Sequence, residues 1–305
     1  MTPSNSRRIL ITGSASGIGL QAALQLAASG HRLVLADRNV AAGEAAAAQI
    51  RQSGGQAEFR ALDLGDLSHI RAFADEELAR EQPLDALINN AGLLPPMRRA
   101  TTADGFERAF GVAYLGHYAL TARLMPALLR SSAPRVVSVS SNSHPGGRLD
   151  FADLQLERNY QSSQAYTNSK LACLMFAMEL QRRSDAAGLG LLSVAAHPGI
   201  SSTPIAAGWK SENRRRLMDR FEVFGYDTLM RLVGQGAADG ARPLVLAAAG
   251  ADIAPGGYYG PTGFMQARGR PGLVRPARKA RDAAVAARLW QESQALTGVA
   301  WPALG

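Results

Sequence analysis

Short apolar runs alternate with stretches of helical period along most of the chain. "RILIT" precedes a helical pattern over 18–29, and "RLVLAD" precedes an alanine-rich one over 40–52. "AEFRALDL" is followed by a helical pattern over 67–80, and "LDALINN" by a long one over 105–129. "RVVSVSS" leads through a loop into a helix carrying Tyr166, and "LLSVAAHPG" into an irregular segment. A last strand is expected near 257–259 and a last helix near 277–294. Short, nearly continuous apolar runs of this kind are what strands buried on both faces require. Repeated strand–helix units with right-handed crossovers predict an α/β fold, a doubly wound parallel sheet of about seven strands with helices on both faces. No internal repeat or linker breaks the rhythm, so residues 1–305 are read as a single Rossmann-type domain. Within it, 1–6 are a loose leader, and 204–235 interrupt the βα rhythm as an expected helical lid over the substrate.

Candidate chemistry gathers at the ends of the strands. The first runs into "TGSASGIG", residues 12–19. Gly13 permits a tight turn, Gly17 lets backbone N–H groups approach a pyrophosphate, and Gly19 lets the helix pack closely on the sheet. With Ser16 and Ile18 they form a phosphate cradle at a helix N-terminus, whose partial positive charge suits an anion. A plain βα turn is the bland alternative. The second strand ends at Asp37, where a carboxylate can accept hydrogen bonds from adenosine ribose hydroxyls and repel a 2′-phosphate. Arg38 follows and can grip such a phosphate. The pair favours NAD(H) and leaves NADP(H) open. "LDL" sets Asp63 and Leu64 near an adenine, and "NNAG" sets Asn89, Asn90, Ala91 and Gly92 along a ribose, although each is also ordinary turn chemistry.

Tyr166 and Lys170 stand one helical turn apart on the same face. A free phenol titrates near pH 10, and each unit of lowering needs about 1.4 kcal/mol of preferential phenolate stabilisation. A neighbouring ammonium supplies such stabilisation and would poise the tyrosine for acid–base work. Serine at the end of "RVVSVSS" can donate to a carbonyl oxygen.

The ordered set "TGSASGIG", "NNAG", "SVSS", "YTNSK" and "HPG" resembles the classical short-chain dehydrogenase/reductases over about 7–295. "FGVAYLGHYALT", "SKLACLMFAMEL", "GRLDFADL" and "GGYYGP" look more specifically like the retinol dehydrogenase-like subgroup and its bacterial relatives. The resemblance implies a metal-free NAD(P)(H)-dependent oxidoreductase with Tyr166 as acid and base. Lys170 would tune it and hold the nicotinamide ribose, and Ser141, the second serine of the pair, would orient the substrate. Tyr166 and Lys170 thereby also join the cofactor-binding set. In "HPGISSTPI", Pro198 and Gly199 would turn the chain beside the nicotinamide, the Ile200 backbone would bond its carboxamide, and Thr203 would touch a phosphate. His197 is expected to be structural, and His31, His69, His117 and His144 are assigned no chemistry. One position departs from the family pattern. Ala113 in "FGVAYLGH" stands where the family usually has an asparagine that holds a water in the proton relay.

Composition adds limits. The chain is 47% hydrophobic and 19% charged, as globular chains are. Its single cysteine, Cys173, excludes an internal disulfide and a multi-cysteine zinc site, reads as a buried small hydrophobe, and fits a cytoplasmic setting. No apolar run reaches the roughly 18 residues of a membrane span. The formal charge of +8 concentrates in Arg214–Arg216 and between Arg268 and Arg281. No recognised nucleic-acid motif accompanies it, so a solvated face is expected. An apolar lid bearing Trp209, Phe221 and Phe224 points to a hydrophobic alcohol or ketone. The apolar stripes of the 105–129 and Tyr166 helices suggest, with the family, a homodimer or homotetramer. A dinucleotide-binding sensor of little activity and a nucleotide-sugar epimerase are the rival readings. The first is motivated by Ala113; the second lacks a sizeable sugar-nucleotide domain.

Overall fold

A computed structural model describes residues 6–200 and 234–301. Thr203, the triple arginine and nearly all of the expected lid and leader lie outside the described residues. The strands are β1 (Arg8–Thr12), β2 (Arg32–Asp37), β3 (Gln56–Ala61), β4 (Ala86–Asn89), β5 (Arg135–Val139), β6 (Leu192–Ala196), β7 (Tyr258–Pro261) and β8 (Pro271–Leu273). They form one eight-stranded sheet in the order β3-β2-β1-β4-β5-β6-β7-β8. All neighbouring pairs are parallel except β7 and β8. The extra strand beyond the expected seven is β8, a three-residue edge piece with a proline and a glycine and no apolar run to announce it.

Helices α1 (Gly17–Ala28), α2 (Val40–Gln52) and α6 (Ala237–Ala249) cover one face. The other face carries α3 (Leu67–Leu78), α4 (108–128), α5 (Ser162–Ala187) and α7 (Ala283–Thr297). The strand period of two feeds both layers. Ile9 and Ile11 join the first core while Leu10 joins the second, and Leu33 and Leu35 oppose Val34 and Ala36 in the same way. The sequence pattern named no helix over 237–249. Gly240 and Pro243 lie inside α6 and interrupt its helical signal.

Helix α4 is not uniform: Arg108–Phe110 is α-helical, Gly111–Leu115 makes a wider π-helical turn, and Gly116–Leu128 returns to α. Ala113 lies inside the wide turn. The apolar faces of α4 and α5 are covered by the C-terminal part of the same chain. Trp290 of α7 lies 5.2 Å from Tyr118, 5.8 Å from Phe176 and 4.5 Å from Trp301, ring centre to ring centre. All four rings are buried. Such clustered aromatics contribute large apolar burial with edge and stacked contacts.

Candidate active site

Chain order reverses between β1 and β4, and ligands of open α/β sheets bind beyond the strand ends at such a point. A crevice of about 470 Å³ opens there. Apart from Asn89, every predicted site residue among the described residues lines it: Gly13, Ser16, Gly17, Ile18, Gly19, Asp37, Arg38, Asp63, Leu64, Asn90, Ala91, Gly92, Ser141, Tyr166, Lys170, Pro198, Gly199 and Ile200.

The glycine loop has the shape of a cradle. Gly13 sits at φ +64°, which a side chain rarely adopts, and a Cβ there would approach Ala91 Cα to 2.7 Å. A Cβ on Gly19 would lie 2.1 Å from the Gly13 carbonyl oxygen. Helix α1 begins at Gly17 with no side-chain cap from Ser16 and no acidic residue in its first turn. Its first N–H groups therefore border the crevice uncapped, as an anion-binding helix end requires. A dinucleotide pyrophosphate fits this end on its donor set and its space. The Asp37 carboxylate accepts from Ala15 N–H at 3.1 Å and Asn39 N–H at 2.9 Å, so it also ties the loop to β2. Arg38 is exposed at the rim. Asp63 accepts from Gly65 N–H at 2.8 Å.

Two expectations need correction. Asn89 is buried and donates to Thr121 Oγ1 at 2.9 Å, so it faces away from the crevice. Its place at a strand end, with side chains alternating between faces, sends it into the α4 side. Asn90 does line the crevice, but its amide donates to the carbonyls of Thr12 and Gly13 at 2.9 and 3.1 Å, which makes it a brace for the glycine loop. The Ile200 backbone is also engaged. Its N–H donates to Ala267 O at 2.9 Å and its carbonyl accepts from Gln235 N–H at 2.8 Å, so the N–H expected to meet a carboxamide is already used.

At the other end, α5 carries Tyr166 and Lys170 to the tips of β4 and β5. Lys170 is buried, and its ammonium donates to Val139 O at 3.2 Å and lies 5.9 Å from the Tyr166 ring centre. No carboxylate pairs with it among the described residues. Gly92 leaves room for it: a Cβ there would stand 3.3 Å from Nζ. The two serines separate as side-chain alternation predicts. Ser140 is buried and donates to Lys170 O at 2.7 Å, fastening α5 to β5. Ser141 Oγ accepts from Ser143 N–H at 3.2 Å and lies 3.0 Å from Ser143 Oγ.

Sequence reasoning missed a lock beneath the crevice. His117 Nδ1 donates to Ala113 O at 2.9 Å, because a carbonyl can only accept. Nε2 therefore accepts from Thr12 Oγ1 at 2.8 Å. The Thr12 oxygen in turn accepts from Asn90 and Ala91 N–H, each at 3.0 Å. Burial pushes the imidazole down to about 4, against a smaller opposing effect of the Ala113 bond. The Cys173 thiol also donates to Ala113 O at 3.1 Å, and burial pushes it up. His197 is fully buried, accepts from Gly199 N–H at 3.2 Å, and is likewise lowered to about 4 by burial. Leu93, Leu94, Val112, Asn142 and Ser143 also line the crevice. Their nearness in sequence to "NNAG", the α4 motif and "SVSS" was the available signal.

The family model for short chain dehydrogenases matches residues 7–214, and the chain belongs to that family of oxidoreductases. Among its relatives, retinol dehydrogenase 12 of Mus musculus is 38% identical over 297 residues, covering 96% of this chain and 87% of the relative. Polyprenol dehydrogenase of Mus musculus is 38% identical over 308 residues, covering 98% and 86%. A crystal structure of an uncharacterised protein from Mycobacterium paratuberculosis is 39% identical, with a TM-score of 0.78 over 99% of this chain and 97% of that one.

Proposed function

We propose that this chain interconverts a hydrophobic secondary alcohol and its carbonyl counterpart, with Tyr166 as acid and base and NAD(H) as the favoured dinucleotide. The observation that carries this reading is that Tyr166, Ser141 and a buried Lys170 line the same crevice as the glycine loop. When bound, the nicotinamide supplies or accepts the hydride at the substrate carbon. In the reducing direction the Tyr166 hydroxyl gives its proton to the substrate oxygen; in the oxidising direction it takes one. The Lys170 ammonium lies 5.9 Å from the Tyr166 ring centre, with no carboxylate paired to it among the described residues. Val139 uses one of its three N–H donors, which leaves two for groups in the crevice. Ser141 donates to the substrate oxygen while accepting from Ser143, so the Ser143 contacts hold its oxygen in place.

Asp37 supports NAD(H), since a carboxylate at the crevice rim opposes a 2′-phosphate, and exposed Arg38 is its counterweight. Leu93, Leu94 and Val112 support an apolar substrate, as do relatives named for retinol and polyprenol, both apolar alcohols. The test pairs a dinucleotide titration with a panel of alcohols and ketones on Tyr166→Phe. Turnover should vanish while dinucleotide binding survives; unchanged turnover removes Tyr166 from the reaction.

Ala113 favours a second reading, a dinucleotide sensor with little turnover. Its methyl offers no hydrogen-bonding group, and its carbonyl is already engaged by His117 and Cys173. This reading predicts dinucleotide binding without hydride transfer across the same panel.

A further inference from the structure

Between Asp252 and Asp282 the chain has no acidic residue and six basic ones: Arg268, Arg270, Arg275, Arg278, Lys279 and Arg281. All six are exposed, and none forms an ion pair among the described residues. The antiparallel pairing of β7 with β8 makes the first part of this stretch a hairpin at the sheet edge. Its tip presents Phe264 and Met265, 87% and 76% exposed, the two most exposed large apolar side chains described. The tip's backbone is unusual. Met265 and Gln266 both occupy the left-handed region, at φ 50° and 55°, which costs backbone energy at non-glycine residues. A strained turn that holds two large apolar groups in water calls for a reason. Nothing described in the fold covers them.

Apolar groups at a tip, followed along the chain by six exposed cations with no acid among them, match the two-part chemistry of an anionic lipid surface. The apolar groups enter the interface, and the cations meet the headgroups. Nucleic acid would use the cations but has less use for a methionine beside a phenylalanine at a protruding tip. We propose that this hairpin and the basic segment after it form a docking face for an anionic phospholipid bilayer. The face adjoins the crevice: Ala267 of the hairpin accepts from Ile200 N–H, and Ile200 lines the wall beside Pro198 and Gly199. Lys279 also donates to Gly147 O at 3.0 Å, binding the segment to the loop that follows Ser141. Docking here sets that side of the crevice toward the bilayer, a short path for an apolar substrate dissolved in lipid. No helix among the described residues is long and apolar enough to cross a membrane.

Each cation near an anionic surface contributes on the order of fivefold to partitioning, and burial of an aromatic or thioether side chain contributes about tenfold or more. Flotation of the full chain with vesicles of phosphatidylcholine alone, and of phosphatidylcholine mixed with phosphatidylserine, tests the idea. The chain should float with the mixed vesicles at least about tenfold better than with the neutral ones, and less as salt rises. Phe264→Ser/Met265→Ser should lower binding about tenfold or more, and Arg268→Glu/Arg270→Glu should lower it further. All four side chains are exposed, so thermal melting and dinucleotide titration should match the parent chain. Equal binding to both vesicle types, or full binding by the Phe264→Ser/Met265→Ser chain, overturns the proposal. So does displacement from the mixed vesicles by duplex DNA whose own binding is unaffected by the apolar pair; that result would assign the patch to nucleic acid.

Discussion

Acid should unfold this protein through two imidazoles, and the structure sets how steeply. His117 has no way to accept a proton where it stands. Nδ1–H is held by Ala113 O, and Nε2 faces a Thr12 oxygen whose two lone pairs already accept from Asn90 and Ala91. Lys170 adds a repelling charge. His197 is buried against the Tyr258 ring, 4.9 Å between centres, with His144 as its repelling neighbour. Both are depressed from 6.5 to about 4. A histidine lowered in the folded state binds its proton first in the unfolded one. Its stabilisation is complete above pH 6.5 and is lost as pH falls toward 4. From pH 7 to pH 5 each should cost about 2 kcal/mol, and the pair about 4 kcal/mol. His31 and His144 are lowered as well and act in the same direction. Buried Glu107 is raised by desolvation and opposes them, whereas Glu58 and Asp66 are lowered, and what they contribute is lost only as pH falls through the usual carboxylate range and below it. The assay is urea unfolding at pH 7, 6 and 5 on the parent chain and on His117→Gln, whose amide has a donor and an acceptor but no proton to gain. The variant should recover about 2 kcal/mol of the pH-dependent loss, whatever its stability at pH 7. An identical loss in both proteins would refute the assignment of acid sensitivity to this lock.

Gly19→Ala places a Cβ 2.1 Å from the Gly13 carbonyl and 2.5 Å from the Asn90 amide, and neither can yield without moving the loop. Dinucleotide affinity should fall about tenfold or more with a stability loss of about 1–3 kcal/mol, read by fluorescence titration and melting. Asp37→Ala should tighten NADP(H) binding by removing a repelling charge and should loosen the loop it ties to β2; titration with both dinucleotides separates the two effects. Trp290→Ala empties the centre of the Tyr118, Phe176 and Trp301 cluster and should cost about 3–5 kcal/mol in chemical unfolding.

What could be read from the sequence divides along a physical line. β1 was legible because Ile9, Leu10 and Ile11 make an unbroken apolar run, and a strand buried on both faces has no other way to be written. The cradle was legible because its demands are local: Gly13, Gly17 and Gly19 answer to backbone angles and contacts within one strand–turn–helix unit. Tyr166 and Lys170 were legible for the same reason, being one turn apart on one helix. The lock was not, since Thr12 and His117 are 105 positions apart and neither carries a mark of the other. Asn90 shows the same limit from the opposite side. Its side chain could serve a ribose or a carbonyl, and only the fold, by bringing Thr12 O and Gly13 O within 3.1 Å, chooses. α6 hid behind Gly240 and Pro243, because propensity is a weak prior where packing against α1 overrides it. The basic stretch after residue 252 is the instructive case. Its charges were plain in the sequence and read as a solvated face, and the structure leaves all six exposed. What the sequence could not express is that a strained hairpin sets Phe264 and Met265 among them, and it is that combination, rather than the charge, that separates a lipid-docking surface from ordinary solvated lysine and arginine.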